Sequence, residues 1–183
     1  MKTRIGLVLG MVLILAAAAS AQNLKLTAYA GYSMSAFENQ GSAAGTIPLG
    51  LSLGFKAAPA LEVGGEFFYP VGGYQFELKE ATAKVTTTFN QMMAGGYGRY
   101  VLGSGHTKPF LKAGIGYYMG DVKFEVEGGE SDTAKLDGAI GFNIGGGILM
   151  QSGLSLGFTY NIVTREKAGM NTWAILVGYP LIR

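Results

Sequence analysis

The sequence predicts an all-β chain: an eight-stranded antiparallel barrel, wound up and down as a meander, that crosses a membrane. Three observations carry this. The chain opens with an export signal, it then alternates apolar and small or polar residues with period two, and it is too poor in charge for a water-facing surface. Only 14% of its 183 residues are charged while 30 are glycine, against roughly 25% charged residues in ordinary soluble domains. No stretch after the N-terminal segment has the ~20 apolar residues that a membrane-crossing helix needs.

The N-terminal segment has three parts. Met1-Lys2-Thr3-Arg4 is basic, Ile5 to Ala19 is apolar, and Ala19-Ser20-Ala21 is a small-x-small cleavage pattern before Gln22. This is the build of a secretory signal peptide. Residues 1–21 are expected to be removed, leaving 22–183 as a single barrel domain. Of 14 Lys and Arg, two (Lys2 and Arg4) fall in the signal, which leaves 12 basic against 12 acidic residues. The mature chain is neutral and offers no electrostatic footprint for nucleic acid. With no cysteine, neither a disulfide framework nor a thiolate metal site can be drawn.

Strand signals follow in order. In the first, about 24–35, Leu24, Leu26, Ala28, Ala30 and Tyr32 alternate with Lys25, Thr27, Tyr29, Gly31 and Ser33. The second, about 47–57, is the clearest: Ile47, Leu49, Leu51, Leu53 and Phe55 alternate with Pro48, Gly50, Ser52, Gly54 and Lys56. After a tight turn at 57–60, the third sets Leu61, Val63, Gly65, Phe67 and Tyr69 against Glu62, Gly64, Glu66 and Phe68. The fourth, about 87–102, is the weakest, with Met92, Ala94, Tyr100 and Leu102 opposite Gln91, Tyr97 and Arg99.

The fifth, about 110–120, sets Leu111, Ala113, Ile115 and Tyr117 against Lys112, Gly114, Gly116 and Tyr118. The sixth, about 136–150, sets Ile140, Phe142, Ile144 and Ile148 against Asp137, Gly141, Asn143, Gly145 and Gly147. The seventh, about 154–163, alternates Leu154, Leu156, Phe158, Tyr160 and Ile162 with Ser155, Gly157, Thr159 and Asn161. The eighth, about 172–182, alternates Trp173, Ile175, Val177, Tyr179 and Leu181 with Ala174, Gly178 and Pro180. Long or polar loops are expected near 36–46, 70–86, 121–135 and 164–171, and short turns near 57–60, 103–109 and 151–153. Short turns at one end and long loops at the other are the pattern of outer-membrane barrels.

Alternation alone does not say which face is outside. A soluble eight-stranded barrel has an apolar interior and a charged exterior. Here the polar face is mostly Gly, Ser, Thr and Asn, which suits a cramped lumen better than a wet surface. Rings such as Tyr32, Tyr69, Tyr160 and Trp173 at one rim, and Phe55, Tyr100 and Tyr179 at the other, suit the two membrane interfaces.

From Gln22 to Arg183 the chain resembles the small eight-stranded outer-membrane β-barrel proteins of the OmpA, OmpX and OmpW type. The resemblance rests on the signal peptide and on segments such as Pro109-Phe110-Leu111-Lys112-Ala113-Gly114-Ile115-Gly116-Tyr117 and Gly141-Phe142-Asn143-Ile144-Gly145-Gly146-Gly147. It implies residence in the outer membrane among phospholipid and lipopolysaccharide, and delivery by periplasmic chaperones to the barrel-assembly machinery. It also implies an external protein or host ligand as the partner for the loops. Such barrels close on an aromatic residue; this chain has Tyr179 on the lipid-facing side but ends in Arg183.

Isolated motifs weigh little. His106, the one histidine, falls in the turn Gly103-Ser104-Gly105-His106-Thr107-Lys108 and reads as a turn residue rather than a catalytic base. That stretch lacks the Gly-Lys-Ser/Thr ending and the helix of a phosphate loop. Glu125, Glu127, Glu130 and Asp132 read as a solvated acidic loop, with weak Ca²⁺ binding or contact with lipopolysaccharide-bridging cations as the alternative. No acid–base constellation is present, so no enzyme and no cofactor are expected.

The most specific signal is a set of charges on the lumen face: Lys25, Lys56, Glu62, Glu66, Arg99 and Lys112. They read as an ion-pair network that closes the lumen, with a gate or selectivity filter as the alternative. Glu62 or Glu66 is expected to pair with Arg99, and Lys56 or Lys112 to complete the cluster. The resulting expectation is a closed barrel that interacts through its external loops. A small channel for ions or solutes comes second, and a lipid-modifying enzyme third.

Overall fold

A computed structural model describes residues 24–37, 40–80, 83–126, 129, 131–164 and 171–182. The expected signal segment, Glu127, Glu130 and most of the 164–171 loop lie outside the described residues. The strands are β1 (Leu24–Phe37), β2 (Gln40–Ala58), β3 (Leu61–Val71), β4 (Tyr74–Glu80), β5 (Ala83–Val101), β6 (Thr107–Val126), β7 (Ser131–Met150), β8 (Ser155–Val163) and β9 (Asn171–Ile182).

Apart from β3 and β4, strands consecutive in the chain pair antiparallel. β9 returns to β1, from Leu26↔Ile182 to Ala36↔Asn171, and β3 pairs β5 from Leu61↔Tyr100 to Phe68↔Met93. The ring β1-β2-β3-β5-β6-β7-β8-β9 is therefore closed with eight staves. Closure leaves no free edge within the bilayer, where every backbone N–H and C=O must find a partner inside the protein.

The ninth strand is the upper part of the third stave. The chain breaks at Gly72 and Gly73, whose φ angles are +78° and +67°, a left-handed conformation open to glycine at little cost. At Gly73 a Cβ would also sit 2.5 Å from the Asn90 Oδ1. Beyond the break, β4 pairs only with β5 among the described residues, from Tyr74↔Phe89 upward. Among the described residues, β2 on the Gln40 side of Ile47 pairs only with β1. The third stave thus splits, and at this end a seam runs between β2 and β4. Thr46 Oγ1, donating to the Val71 carbonyl at 2.8 Å, stitches its base.

The long connections differ from the sequence expectation. Residues 74–80 and 83–101 are strands, the first paired along its length with the second, and β6 and β7 run on to Val126 and back from Ser131. Twenty residues in β6 and in β7 are about twice the ~9–11 needed to cross a bilayer. The surplus is antiparallel ribbon standing beyond the membrane, its backbone groups satisfied by pairing rather than by loop contacts. The short turns fall where expected, at 59–60, 102–106 and 151–154.

The faces divide as the alternation demands. Ile140, Tyr179 and Leu111 are 63%, 62% and 60% exposed, whereas Thr27, Ser52, Arg99 and Asn143 are each at most 2% exposed. A surface this apolar around an interior this polar belongs in lipid. One assignment is corrected. Asp137 is exposed and not in the lumen, because Tyr118 pairs Ala139 while Gly120 pairs Leu136. That bulge breaks the period-two register on which its inward placement depended.

Candidate functional site: the lumen charge cluster

Glu62 is the second residue of β3 and lies directly opposite Arg99 of β5. The two form a buried ion pair, with side chains 9% and 2% exposed. Tyr97 donates its hydroxyl proton to the other Glu62 oxygen at 2.7 Å. The guanidinium lies over the Phe110 ring, 5.5 Å from its centre. Four residues on, a distance of about 13 Å along the strand, Glu66 forms a second tier. Its carboxylate pairs with Lys112 of β6 and accepts from Asn143 Nδ2 of β7 at 3.2 Å. The Lys112 ammonium also lies 5.2 Å from the Tyr97 ring centre and 5.5 Å from that of Phe68.

Register explains the partnering that the sequence left open. Arg99 and Lys112 are direct neighbours on β5 and β6, so two like charges share one level. Each turns to a different glutamate, which leaves both carboxylates compensated. An unpaired charge in such a lumen would be strongly destabilising. Small residues make the space. A Cβ on Gly54 would stand 2.4 Å from the Tyr97 hydroxyl and 2.9 Å from Glu62 Oε1, and one on Gly147 would stand 2.9 Å from the Phe110 ring tip.

Of the other predicted members, Lys25 acts electrostatically on Glu62 and faces the inner mouth. Lys56 is opposite Glu62 on β2, but Glu62 is taken by Arg99 and Lys56 stands exposed at the rim. Sequence reasoning missed Tyr97 and Asn143 as partners, although it placed both on the lumen face. Beyond Glu66 the lumen is filled by Met93, Tyr118 and Val163. Above these the Tyr74 hydroxyl reaches Ser33 of β1 at 2.8 Å, a bridge across the lumen. Two interior voids have volumes of only about 40 and 30 Å³, room for two or three waters each. The larger cavity, about 520 Å³, lies at the short-turn mouth. In the expected acidic loop, Glu125 pairs with the neighbouring Lys123, and Asp132 lies opposite Phe124 on the β6–β7 ribbon.

A family model described as the outer membrane protein beta-barrel domain matches residues 5–180. The chain belongs to that family. Membership implies the cell outer membrane as its place and a bilayer as its surroundings. Among solved structures, Neisserial surface protein A superposes with a TM-score of 0.63 at 15% identity, covering 85% of this chain and 94% of that one. Ail of Yersinia pestis, solved with the heparin analogue sucrose octasulfate, gives 0.59 at 14% identity over 87% and 100% of the two chains. The N-terminal β-barrel domain of Pseudomonas aeruginosa OprF gives 0.51 at 13% identity over 88% and 100%. At these identities the likeness is one of fold. No curated protein matches the chain by sequence.

Proposed function

We propose that this outer-membrane barrel is closed to solutes and works through the ribbons that it raises outside the membrane. The observation that supports this is the two-tier plug, Glu62–Arg99 and Glu66–Lys112, buried and backed by aromatic side chains. On this reading Lys25 and Lys56 belong to the mouth below the plug rather than to the plug itself. The protein reaches its place after cleavage behind Ala21. It sits among phospholipid and lipopolysaccharide and meets its partner, an external protein or host ligand, at the outer tips of β1–β2, β4–β5 and β6–β7. On this reading it is not an enzyme.

Conductance of the purified protein in planar bilayers tests the reading. A closed lumen gives no steady current. A large, steady wild-type conductance that Arg99→Ala leaves unchanged would overturn it in favour of a small channel.

A further inference from the structure

Two side-chain atoms of the plug are buried and unmatched. Arg99 Nε, a donor, and Asn143 Oδ1, an acceptor, meet no hydrogen-bond partner among the described residues. Buried polar groups in folded proteins are almost always satisfied, by protein or by ordered water. Each of these two residues lines one of the interior voids. Arg99 lines the void of about 30 Å³ at its own level, and Asn143 lines the void of about 40 Å³ at the level of Glu66. The voids also mark where the plug stops. Its ion pairs and the Asn143 contact join β3 to β5, β6 and β7. Further polar lining comes from other strands: Tyr29 of β1 with Ser155 and Thr159 of β8 in the first void, and Asn161 of β8 with Thr172 of β9 in the second.

We propose that both voids are binding sites for ordered water, and that this water joins the plug to β1, β8 and β9. The chemistry selects the occupant. Glu62 and Glu66 are matched by Arg99 and Lys112, so the occupant is a neutral molecule rather than an ion. Lys25, which adds its field to Glu62, lines neither void. One site must accept from an N–H and the other must donate to an amide oxygen; water does both. The volumes suit it as well. A water needs roughly 10–15 Å³ of such space and two to four polar partners, which the hydroxyl and amide side chains supply. The proposal rests on the ion pairs themselves and not on whether the lumen conducts.

A crystal structure of the full mature barrel, at a resolution that shows ordered water, tests it. A water is expected within hydrogen-bond reach of Arg99 Nε, and another beside Asn143 Oδ1. The Ser155→Ala/Tyr29→Phe double variant removes two hydroxyls from the first void without filling it. It should lose the water at Arg99 and keep the one at Asn143. Thr172→Val, at a residue that lines only the second void, should keep the water at Arg99. A bare Arg99 Nε in the wild type, density there that crystals grown in bromide show to be a halide, or a water at Arg99 indifferent to the double variant would each overturn the proposal. Folding of the variants is read from their electrophoretic shift; where the double variant does not fold, the wild-type and bromide crystals decide. A barrel that conducts steadily with water at both sites would remove the closed-lumen reading and leave this one standing.

Discussion

Glu62 and Arg99 face each other at one register position of β3 and β5 and form an ion pair whose cation is 2% exposed. Arg99→Ala leaves the Glu62 charge without its main partner in a dry lumen. The expected loss is about 3–5 kcal/mol, the cost of breaking a buried pair, together with a rise in conductance. Urea unfolding, followed by the electrophoretic shift of the folded barrel, and bilayer recording read the two effects. Unchanged values of both would remove the pair from its place in the plug.

Replacing both partners should hurt less than replacing one. Glu62→Gln with Arg99→Met puts neutral side chains of similar length where the charges stood. Exchange of a buried pair for well-packed neutral groups is often close to neutral. The double variant is expected to recover most of the stability lost in Arg99→Ala, measured by the same unfolding curves.

Gly54→Val tests the space rather than the charge. Its Cβ would enter the volume of the Tyr97 hydroxyl and Glu62, so the pair must shift or the strand must move. Overpacking of this kind costs about 1–3 kcal/mol. A variant as stable as wild type would show that the lumen at this level is roomier than described.

Leu53 and Ser52 separate the two faces. Ser52 is 2% exposed and donates to the hydroxyl of Tyr29 on the adjacent strand at 3.3 Å, while Leu53 points to lipid. Leu53→Arg should cost about 2–4 kcal/mol near mid-depth; Ser52→Arg should act through crowding. Spin labels at the two sites, challenged with a lipid-soluble relaxant, should report lipid contact at 53 and not at 52.

Removal of the first 21 residues is checked by intact-mass measurement on protein taken from membranes. Gln22 should be the first residue, since Ala19 and Ala21 fit the small subsites of the peptidase.

The barrel was legible because lipid imposes period two on any spanning strand, and Leu49 to Phe55 or Leu156 to Ile162 keep it without error. The outer ribbons were not, although Val122, Phe124 and Val126 alternate with Lys123 and Glu125 in the same way. Their charge made the stretch resemble a loop, and outside the bilayer nothing penalises charge on a strand. The inward charges could be assigned to the lumen because the alternative was lipid. Which glutamate took which cation depended on the register of β3 against β5, and that register follows from the break at Gly72 and Gly73, whose geometry no pairwise alternation encodes. Asn143 escaped notice because its role is set by a neighbour three strands away.

The split third stave has a consequence for how such a protein can change. Strand number and stagger, which set the diameter of a barrel, are fixed by pairings that end at Phe68↔Met93 and Ile47↔Val71. Past that level no pairing joins β2 to β4 among the described residues: β2 is held there by β1 and β4 by β5. Tips there can lengthen, shorten or exchange sequence without altering the cylinder beneath, so the region that meets the outside world can diversify quickly while the part held by lipid stays constant.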